Sequence, residues 1–377
     1  MLMLRPLFWG SLGAIVWTHA GYPLAVAAVA RFRRRDVRKA DLTPAVQLVV
    51  AAHDEDTVIE RRLENLLALD YPSELLEIVV ASDASGDRTD EIVEGVAARE
   101  PRVRLLRCPR GGKVAAQNRA VREAGAAEVL AFSDANATWA PDALRKLVRN
   151  FADPEVAYVF GRLQLTAPDG ANREGAYWRY EVWLREQESL AGSTTGGYGS
   201  IYAVRRADYV EVDPRFGHDL AFPYLMVQRG RRAVYEPEAL AFEKPSADTE
   251  EEYRRKVRMF EHCWLITLRG GMLRGLPPAY LVQIVSHRLL RYGSGLLHLA
   301  LLASSLGLAP RGGVYRLSLA GQAALLALAA LGRARAPVPA ASLAYYYVLV
   351  TWATVVSLRN YLRAGVPPVW EKAEGTR

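Results

Sequence analysis

The sequence predicts an α/β domain flanked on both sides by membrane-spanning helices. Two observations predict this: apolar stretches without charged residues occur near both ends, and apolar strands alternate with amphipathic helices between them. The mean hydropathy of −0.01 over 377 residues is therefore the average of a charged central domain and apolar terminal segments. An apolar fraction of 51% with 24% charged residues also excludes a disordered chain.

The first apolar stretch, residues 7–30, is long enough to cross a bilayer, which needs roughly 20 residues. A strongly basic segment, residues 31–39, follows directly, and such a segment is retained in the cytoplasm. A cleaved signal peptide is the alternative, because Ala-Val-Ala occurs at 25–27 and at 28–30. The length of the stretch and the basic segment favour an uncleaved anchor, which we assign to residues 1–43.

Three more apolar stretches, 292–309, 317–331 and 338–358, predict further membrane helices within a C-terminal region of residues 291–377. Buried helices of a soluble protein are the alternative, and the second stretch is short for a span. An anchor plus three spans would place the tail outside the cell. The tail residues Arg359, Arg363 and Lys372 instead favour the cytoplasm, so the orientation of this end stays open.

Residues 44–248 have the pattern of a soluble α/β domain. Apolar strands are predicted at 46–52, 76–82, 103–108 and 129–134, with a helix after each of the first three. Thr57 and Glu60 have the spacing of a capping box, and Pro141 stands where a further helix would start. This alternation predicts a mostly parallel sheet with helices on both faces, whose ligands bind at the carboxyl ends of the strands.

Polar groups follow all four predicted strands. The segments are His53-Asp54-Glu55, Asp83 to Asp87, Gly111-Gly112-Lys113, and Asp134-Ala135-Asn136. An acidic residue in a loop is usually a turn former or a helix cap, but four such segments on one edge are much less expected by chance. Carboxylates together with phosphate oxygens suit Mg²⁺ or Mn²⁺, and a glycine turn followed by lysine suits a phosphate. This edge therefore predicts a site for a nucleoside diphosphate with a divalent cation.

Several other site classes are excluded. The sequence has no GxxxxGK[ST] segment and no GxGxxG after the first strand, so neither a P-loop nor a dinucleotide fold is expected. Two cysteines cannot form a disulfide scaffold or a four-thiolate zinc site, and no HExxH occurs. The net charge of +7 comes partly from residues 31–39 and 254–258, so it gives little reason to expect nucleic acid as a partner.

These motifs resemble those of membrane-anchored family 2 glycosyltransferases with a GT-A domain, in the group of cellulose, hyaluronan and poly-N-acetylglucosamine synthases. The segments that carry the resemblance are VVAAHDE, LENLLALDYP, LEIVVASDASGDRTDEIV, GGKVAAQNRAV and FSDANATWAPDAL. The resemblance covers nearly the whole chain, including both apolar ends. It implies a GT-A fold and a nucleoside-diphosphate sugar as donor, with a UDP-sugar as the first expectation.

The resemblance also implies which residues bind the donor. Asp83 would hold the nucleobase, with Asp87 in the same loop, and Asp54 and Glu55 would lie beside the nucleotide. Lys113 would neighbour the diphosphate. His53 stands where the family has an aromatic residue or Asn.

A divalent cation is implied by the same comparison. Asp134 and Asn136 take the place of the family's Asp-X-Asp metal motif, so Mg²⁺ or Mn²⁺ is the expected cofactor. The second ligand here is the neutral amide of Asn136, which supplies an oxygen without a charge.

The acceptor is expected to meet the residues beyond 150. The glycine-rich segment 192–206 resembles the acceptor-proximal segment of the family, which implicates Gly197, Tyr198 and Gly199. A plain hairpin is the alternative. The preceding segment, 177–189, is either a helix that contacts the acceptor or the membrane, or a helix packed by its tryptophans.

The catalytic base is expected at the start of an apolar helix near residue 218. Inverting transfer needs one carboxylate to deprotonate the acceptor hydroxyl, and partial burial raises the pKa of such a group. The family has two acids here, whereas this chain has His218-Asp219. The resemblance therefore assigns the base to Asp219 and leaves His218 as an acceptor-side residue, while a helix cap is the alternative for Asp219.

The segment 249–290 is predicted to form amphipathic helices beside anionic lipid headgroups. Its apolar face comprises Tyr253, Val257, Phe260 and Trp264. The synthases have Gln-X-X-Arg-Trp here, and this chain reads Arg-Lys-Val-Arg-Met at 255–259. Only Arg258 carries over, next to the diphosphate, with plain surface charge as the alternative. The missing Gln and Trp leave processive synthesis and single transfer both open.

Taken together, the sequence predicts an inverting, metal-dependent glycosyltransferase of the inner or plasma membrane, multi-pass, with its catalytic domain in the cytoplasm. The expected partners are a nucleoside-diphosphate sugar, a glycan or lipid-linked acceptor, membrane lipid, and further copies or other subunits of a glycan-synthesis machinery. The alternative is a catalytically silent relative that binds nucleotide or assists assembly.

Overall fold

The computed structural model describes residues 3–165, 175–244 and 249–366. Within these ranges one eight-stranded sheet forms the centre of the protein, in the spatial order β3-β2-β1-β4-β7-β6-β8-β5. The strands are β1 (Val46–Ala52), β2 (Leu76–Asp83), β3 (Val103–Cys108), β4 (Val129–Asp134), β5 (Thr138–Trp139), β6 (Val156–Leu165), β7 (Tyr202–Arg205) and β8 (Arg232–Glu243).

The half of the sheet formed by β3, β2, β1 and β4 is entirely parallel, as the sequence predicts. Leu48, Val49 and Val50 are consecutive in β1 and all fully buried, so both faces of this strand need cover. Helices that follow β1, β2 and β3 supply that cover. They are α3 (Ile59–Leu67), α4 (Thr89–Ala97) and α5 (Lys113–Arg122). The predicted capping box is wrong, because Val58 is the N-cap of α3 and makes no side-chain hydrogen bond there.

The other half of the sheet is mixed. β7 pairs antiparallel with both β4 and β6, while β6 pairs parallel with β8 and β5 antiparallel with β8. The helices of this half are α6 (Ala143–Val148), α7 (Ala176–Ala191) and α8 (His218–Gln228). Because β7 runs antiparallel to β4, the loop before β7 lies at the carboxyl end of β4, which brings a second set of residues to the predicted ligand edge.

The N-terminal apolar stretch is a helix over Leu4–Phe32, long and apolar enough to cross a membrane. It consists of α1 (Leu4–Val16), a π-helical turn at Trp17–Gly21, and α2 (Tyr22–Phe32). Near the other end α13 (Gly313–Arg333) and α14 (Ala341–Ala364) meet the same length and composition criteria. The stretch that seemed short from hydropathy is thus part of a helix of 21 residues.

The stretch 292–309 does not form one straight span. It belongs to a pair of helical segments, Pro278–Tyr292 and Ser294–Arg311, that are bent by 66° at their junction. The first comprises α10 (Pro278–Gln283), a π-helical turn at Ile284–Leu289 and α11 (Leu290–Tyr292), and α12 (Ser294–Leu308) begins the second. The described residues therefore hold three candidate spans, or four if the bent pair counts as one. Lys372 lies outside the described residues.

The amphipathic helix expected near residue 249 is α9 (Thr249–Arg269). Its apolar face does not lie open to lipid headgroups. Val257 and Phe260 are buried in a cluster with Tyr292 and with Ala353 of α14, and Trp264 donates a hydrogen bond to the Thr354 carbonyl at 3.2 Å. Protein covers this face, so α9 connects the sheet domain to the C-terminal helices.

Candidate active site

The loops after β1 and β2 are joined by hydrogen bonds from the acidic residues that the sequence singles out. Asp54 adopts a left-handed backbone with φ 53°, and its Oδ1 accepts a hydrogen bond from the Gly86 N–H at 2.7 Å. Asp87 accepts one from the Thr89 N–H at 2.9 Å, at the first residue of α4. The Glu55 N–H donates to Thr89 Oγ1 at 2.7 Å. These contacts fix the two loops against each other and against the start of α4.

Asp83, at the end of β2, is 2% exposed and holds the glycine turn that follows β3. Its carboxylate accepts hydrogen bonds from the Gly111 N–H at 2.7 Å and the Gly112 N–H at 2.9 Å, and it pairs with the Arg110 guanidinium. Gly112 has φ 89°, a conformation that side chains disfavour. Asp83 therefore shapes the turn that precedes Lys113, and its contact with a nucleobase stays a prediction.

Lys113 and Asp134 form an ion pair at the centre of the ligand edge. Lys113 is the first residue of α5 and Asp134 the last of β4. Burial acts to lower the pKa of the Lys113 ammonium, but the Asp134 carboxylate outweighs burial and raises it. Glu243, the last residue of β8, lies close enough that burial, followed by the Asp134 charge, raises its pKa to about 7. The edge thus concentrates negative charge, part of which a lysine neutralises.

The residues at this edge fit the expected divalent cation. Asp134 and Asn136 supply oxygen ligands from one short loop, and the Lys113 ammonium beside Asp134 shows that this carboxylate faces a position that holds a cation. Within the described ranges no group of three or more His, Cys, Asp or Glu is arranged to hold a metal ion. The donor's phosphates and water would therefore complete the coordination, which is the usual arrangement for Mg²⁺.

A cavity of about 360 Å³ is lined by this ion pair and by residues of the first turn of α8. Eight of the predicted site residues line it: Lys113, Asp134, Gly197, Tyr198, Gly199, His218, Asp219 and Arg258. Five do not: Asp54, Glu55, Asp83, Asp87 and Asn136. The structure therefore separates four residues in the loops after β1 and β2, together with Asn136 after β4, from the eight residues that line the cavity.

Asp219 lies in the cavity wall at the first turn of α8. Burial raises the pKa of its carboxyl group, and the nearby Lys113 and Arg185 charges oppose that increase. The backbone carbonyl of Asp219 accepts a hydrogen bond from the Gly197 N–H at 2.7 Å, which ties the glycine-rich loop to this helix. The N-cap of α8 is Gly217, so the alternative of Asp219 as the cap is wrong.

The glycine-rich loop lies against the cavity at very close range. A Cβ at Gly197 would overlap the Tyr158 hydroxyl, and a Cβ at Gly199 would lie 3.3 Å from Lys113 Nζ. Tyr198 stacks on Trp178 of α7 with ring centroids 5.3 Å apart, and Arg185 lies 4.4 Å from the centroid of the Tyr198 ring. The glycines therefore let this loop approach the ion pair. Helix α7 packs against this loop through Trp178 and also forms part of the cavity wall.

His218 is only 3% exposed and is surrounded by aromatic rings. Its Nδ1 lies 2.7 Å from the Tyr202 hydroxyl, and its ring centroid is 4.6 Å from that of Phe222. Burial, followed by the Lys113 charge, lowers its pKa to about 3, so the imidazole is neutral at physiological pH. These contacts favour a supporting role beside Asp219 over the expected contact with an acceptor.

Arg258, on α9, lines the cavity and has no ion-pair partner within the described ranges, so its guanidinium is available to an anion. Sequence reasoning missed five other charged residues of the cavity: Glu181, Arg185, Glu243, Arg288 and Arg291. Glu243 is also an acidic residue at the end of a strand, but the sequence pattern predicts only the first four strands and not β8. Arg288 and Arg291 carried a different signal, because cations within an apolar stretch are uncommon and often functional.

Comparison with known proteins bears on the family and the fold of the chain. Residues 47–212 match the family model described as glycosyl transferase family 2. A beta-monoglucosyldiacylglycerol synthase from Synechocystis sp. is 30% identical over 168 residues, which cover 42% of this chain and 33% of that protein. An N-acetylglucosaminyltransferase from Rhizobium meliloti is 28% identical over 293 residues, covering 69% and 67%. The match thus spans only a third of the first relative's length.

A solved structure shares the fold over nearly the whole chain. It is a mannosyltransferase from Pyrobaculum calidifontis in complex with GDP-Man and Mn²⁺, 22% identical with a TM-score of 0.71, and the match covers 96% of this chain and 98% of that one. The expected α/β fold is confirmed, and the family model agrees with the motifs quoted above. The chain therefore carries a family 2 glycosyltransferase domain with the GT-A fold over residues 47–212.

Proposed function

We propose that the chain is an inverting, metal-dependent glycosyltransferase that moves a sugar from a nucleoside-diphosphate sugar to an acceptor hydroxyl. One observation carries this proposal: Lys113 and Asp134 line the same cavity as Asp219. The first pair suits a diphosphate and its cation, and the carboxylate suits a base. One cavity therefore contains groups for the leaving diphosphate and a base for the attacking hydroxyl, which are the two requirements of displacement at the anomeric carbon.

In this mechanism the Asp219 carboxylate accepts the proton of the acceptor hydroxyl. The acceptor oxygen forms its bond to the anomeric carbon as the bond from that carbon to the diphosphate oxygen breaks, with inversion. Lys113 and Arg258 stabilise the charge that develops on the leaving nucleoside diphosphate. A Mg²⁺ or Mn²⁺ ion held by Asp134 and Asn136 would supply further neutralisation of that leaving group.

Membrane attachment and the acceptor class belong to the same proposal. The three candidate spans and the basic segment 31–39 support a multi-pass protein with its catalytic domain in the cytoplasm. Two relatives are named as a glycolipid synthase and an N-acetylglucosaminyltransferase, which supports a glycan or lipid-linked acceptor. A UDP-sugar is our first candidate donor, and the complex of the structural neighbour with GDP-Man places GDP-sugars in the same test.

The test uses the purified full chain with a panel of UDP- and GDP-sugars, with Mn²⁺, Mg²⁺ or a chelator. We expect nucleoside diphosphate release from at least one donor, abolished by chelation. Asp134→Ala should lose it together with Mn²⁺ binding. Asp213→Asn is the matched control, because Asp213 pairs only locally with Arg215 before α8 and should leave both unchanged. Absence of turnover with every donor, with nucleotide binding intact, would favour the catalytically silent relative.

A further inference from the structure

The cavity does not end at Asp219 but continues to the candidate membrane helices. Beyond the base its wall includes Tyr346, Tyr347 and Val350 of α14, and His19 from the π-helical turn between α1 and α2. A sugar donor needs only the part near Lys113 and Asp134. The remaining part joins the reaction centre to apolar helices, as a site for a lipid-borne substrate requires.

This part of the cavity carries three arginines that form no ion pair with a described carboxylate, although the nearby Glu188 and Glu181 charges act on Arg288. Lys113 pairs with Asp134 and Arg291 with Glu181, but Arg185, Arg258 and Arg288 have no ion-pair partner within the described ranges. A divalent cation and Lys113 together offset the charge of a bound diphosphate. Even with Arg258 assigned to the diphosphate, two guanidinium groups remain, and positive charge without a partner in a partly buried site favours an anion.

Arg185 and Arg288 are held in place by the glycine-rich loop. Arg185 donates a hydrogen bond to the Gly197 carbonyl at 2.8 Å, and Arg288 Nε donates to the Thr195 carbonyl at 3.0 Å. Arg288 is 7% exposed, and its Nη2 has no hydrogen-bond partner among the described residues. A Cβ at Gly196 would collide with the Arg288 guanidinium, so only a glycine at this position leaves room for that group.

A buried network fixes this loop to the anchor helix. The Glu188 carboxylate accepts hydrogen bonds from the Tyr22 hydroxyl at 2.5 Å and the Thr195 N–H at 3.0 Å, and it lies 2.6 Å from His287 Nδ1. Burial acts to raise the pKa of Glu188, but the charge and hydrogen bond of His287, the Tyr22 hydrogen bond and the Arg288 charge outweigh burial and bring the pKa to about 2. The oxygens of Glu188 are thus already engaged, and they fix the loop whose carbonyl groups hold Arg185 and Arg288.

We propose that Arg288 and Arg185 bind the phosphate of a lipid-linked acceptor, whose chain extends along α14. This inference rests on the proposed function, because it names the acceptor class of the same site. A planar guanidinium group binds phosphate oxygens in a fixed fork, which suits Arg better than Lys for this role. Asp219 lines the same cavity as Lys113 and Arg288, so the base shares one cavity with the groups assigned to both substrates.

The test measures binding to the full chain in detergent, by the fluorescence of tryptophans such as Trp178 in the cavity wall. The probes are dodecyl phosphate, dodecanol, inorganic phosphate and UDP with Mn²⁺. We expect dodecyl phosphate to bind at least about tenfold more tightly than dodecanol or inorganic phosphate, because a charged hydrogen bond and a buried chain both contribute. Arg288→Gln should weaken dodecyl phosphate about tenfold and leave UDP within about twofold.

Two further variants make the result decisive. Arg288→Lys keeps the charge and should retain part of the affinity for dodecyl phosphate even if Arg288→Gln fails to fold. Arg274→Gln is the matched control, because Arg274 is an exposed arginine outside the cavity and should bind every probe as the unaltered chain does.

Three results would overturn the inference: equal affinity for dodecyl phosphate and dodecanol, equal affinity for dodecyl phosphate and inorganic phosphate, or a loss of UDP binding in Arg288→Lys as large as the loss of dodecyl phosphate binding. The last would assign the arginines to the donor. Donor turnover without binding of dodecyl phosphate would contradict this inference alone. Failure to bind any nucleotide in the presence of metal would contradict the proposed function.

Discussion

The loops after β1 and β2 and the cavity wall both carry charged residues, but the partners of these charged residues differ. In the loops, Asp54, Asp83 and Asp87 each accept hydrogen bonds from backbone N–H groups of short turns. In the cavity, Arg258 and Arg288 have no carboxylate partner among the described residues, and burial raises the pKa of Asp219. The loops satisfy their charges locally, whereas the cavity leaves part of its charges without an ion-pair partner among the described residues.

This difference indicates what each region contributes. A carboxylate whose oxygens already bind backbone N–H groups stabilises a loop shape, so its removal should reduce stability and nucleotide binding together. A charge without a partner contributes little to the fold and much to binding or catalysis. We therefore expect substitutions in the loops after β1 and β2 to reduce stability, and substitutions in the cavity wall to reduce turnover.

The largest effect is expected for Asp219→Asn. Loss of a general base reduces turnover by about 10²- to 10⁴-fold, and the amide keeps the size of the side chain. Nucleotide binding and thermal unfolding should stay close to those of the unaltered chain. Turnover is followed by nucleoside diphosphate release at saturating donor. If Asp219→Asn turns over normally, the base is another group and the separation between the two regions fails.

The next effect is a pH dependence set by the same residue. Because burial raises the pKa of Asp219, its carboxylate takes up a proton at a higher pH than an ordinary aspartate. Activity requires the ionised form, so kcat/KM should fall about tenfold per pH unit below that raised pKa. The measurement is a pH profile of kcat/KM at fixed ionic strength. An activity that stays constant down to pH 4 would contradict the assignment.

The smallest effect on turnover, but a clear effect on stability, is expected for Asp83→Asn. The substitution removes a buried charge that accepts two backbone hydrogen bonds and pairs with Arg110. Hydrogen bonds to charged groups contribute about 1.5–3 kcal/mol each, so the free energy of unfolding should fall by about that amount. Chemical denaturation measures it. Asp70→Asn, in an exposed pair with Arg145, is the control and should change stability by less than about 1 kcal/mol.

Local pattern was enough to predict the parallel half of the fold. All four strands from β1 to β4 lie where their apolar runs indicate, and β1, β2 and β4 are buried on both faces, so their runs are almost continuously apolar. It was not enough at helix boundaries. The Thr57 and Glu60 spacing did not produce a cap, since the chain turns at Glu55 to Ile59 through backbone hydrogen bonds instead. The bend between Tyr292 and Ser294 likewise leaves no mark on hydropathy.

The sequence by itself determined the α/β class, the acidic strand ends, the glycine-lysine turn and the apolar stretches near both ends, because each depends on residues close together in the chain. Only the tertiary structure decided that Asp219 shares a cavity with Lys113, and that Arg185 and Arg288 are held by one loop. The physical reason is that β7 pairs with β4 after a long excursion of the chain, so residues far apart in the sequence come into contact. No local periodicity encodes such a pairing, and the charges it brings together are those on which the proposed chemistry depends.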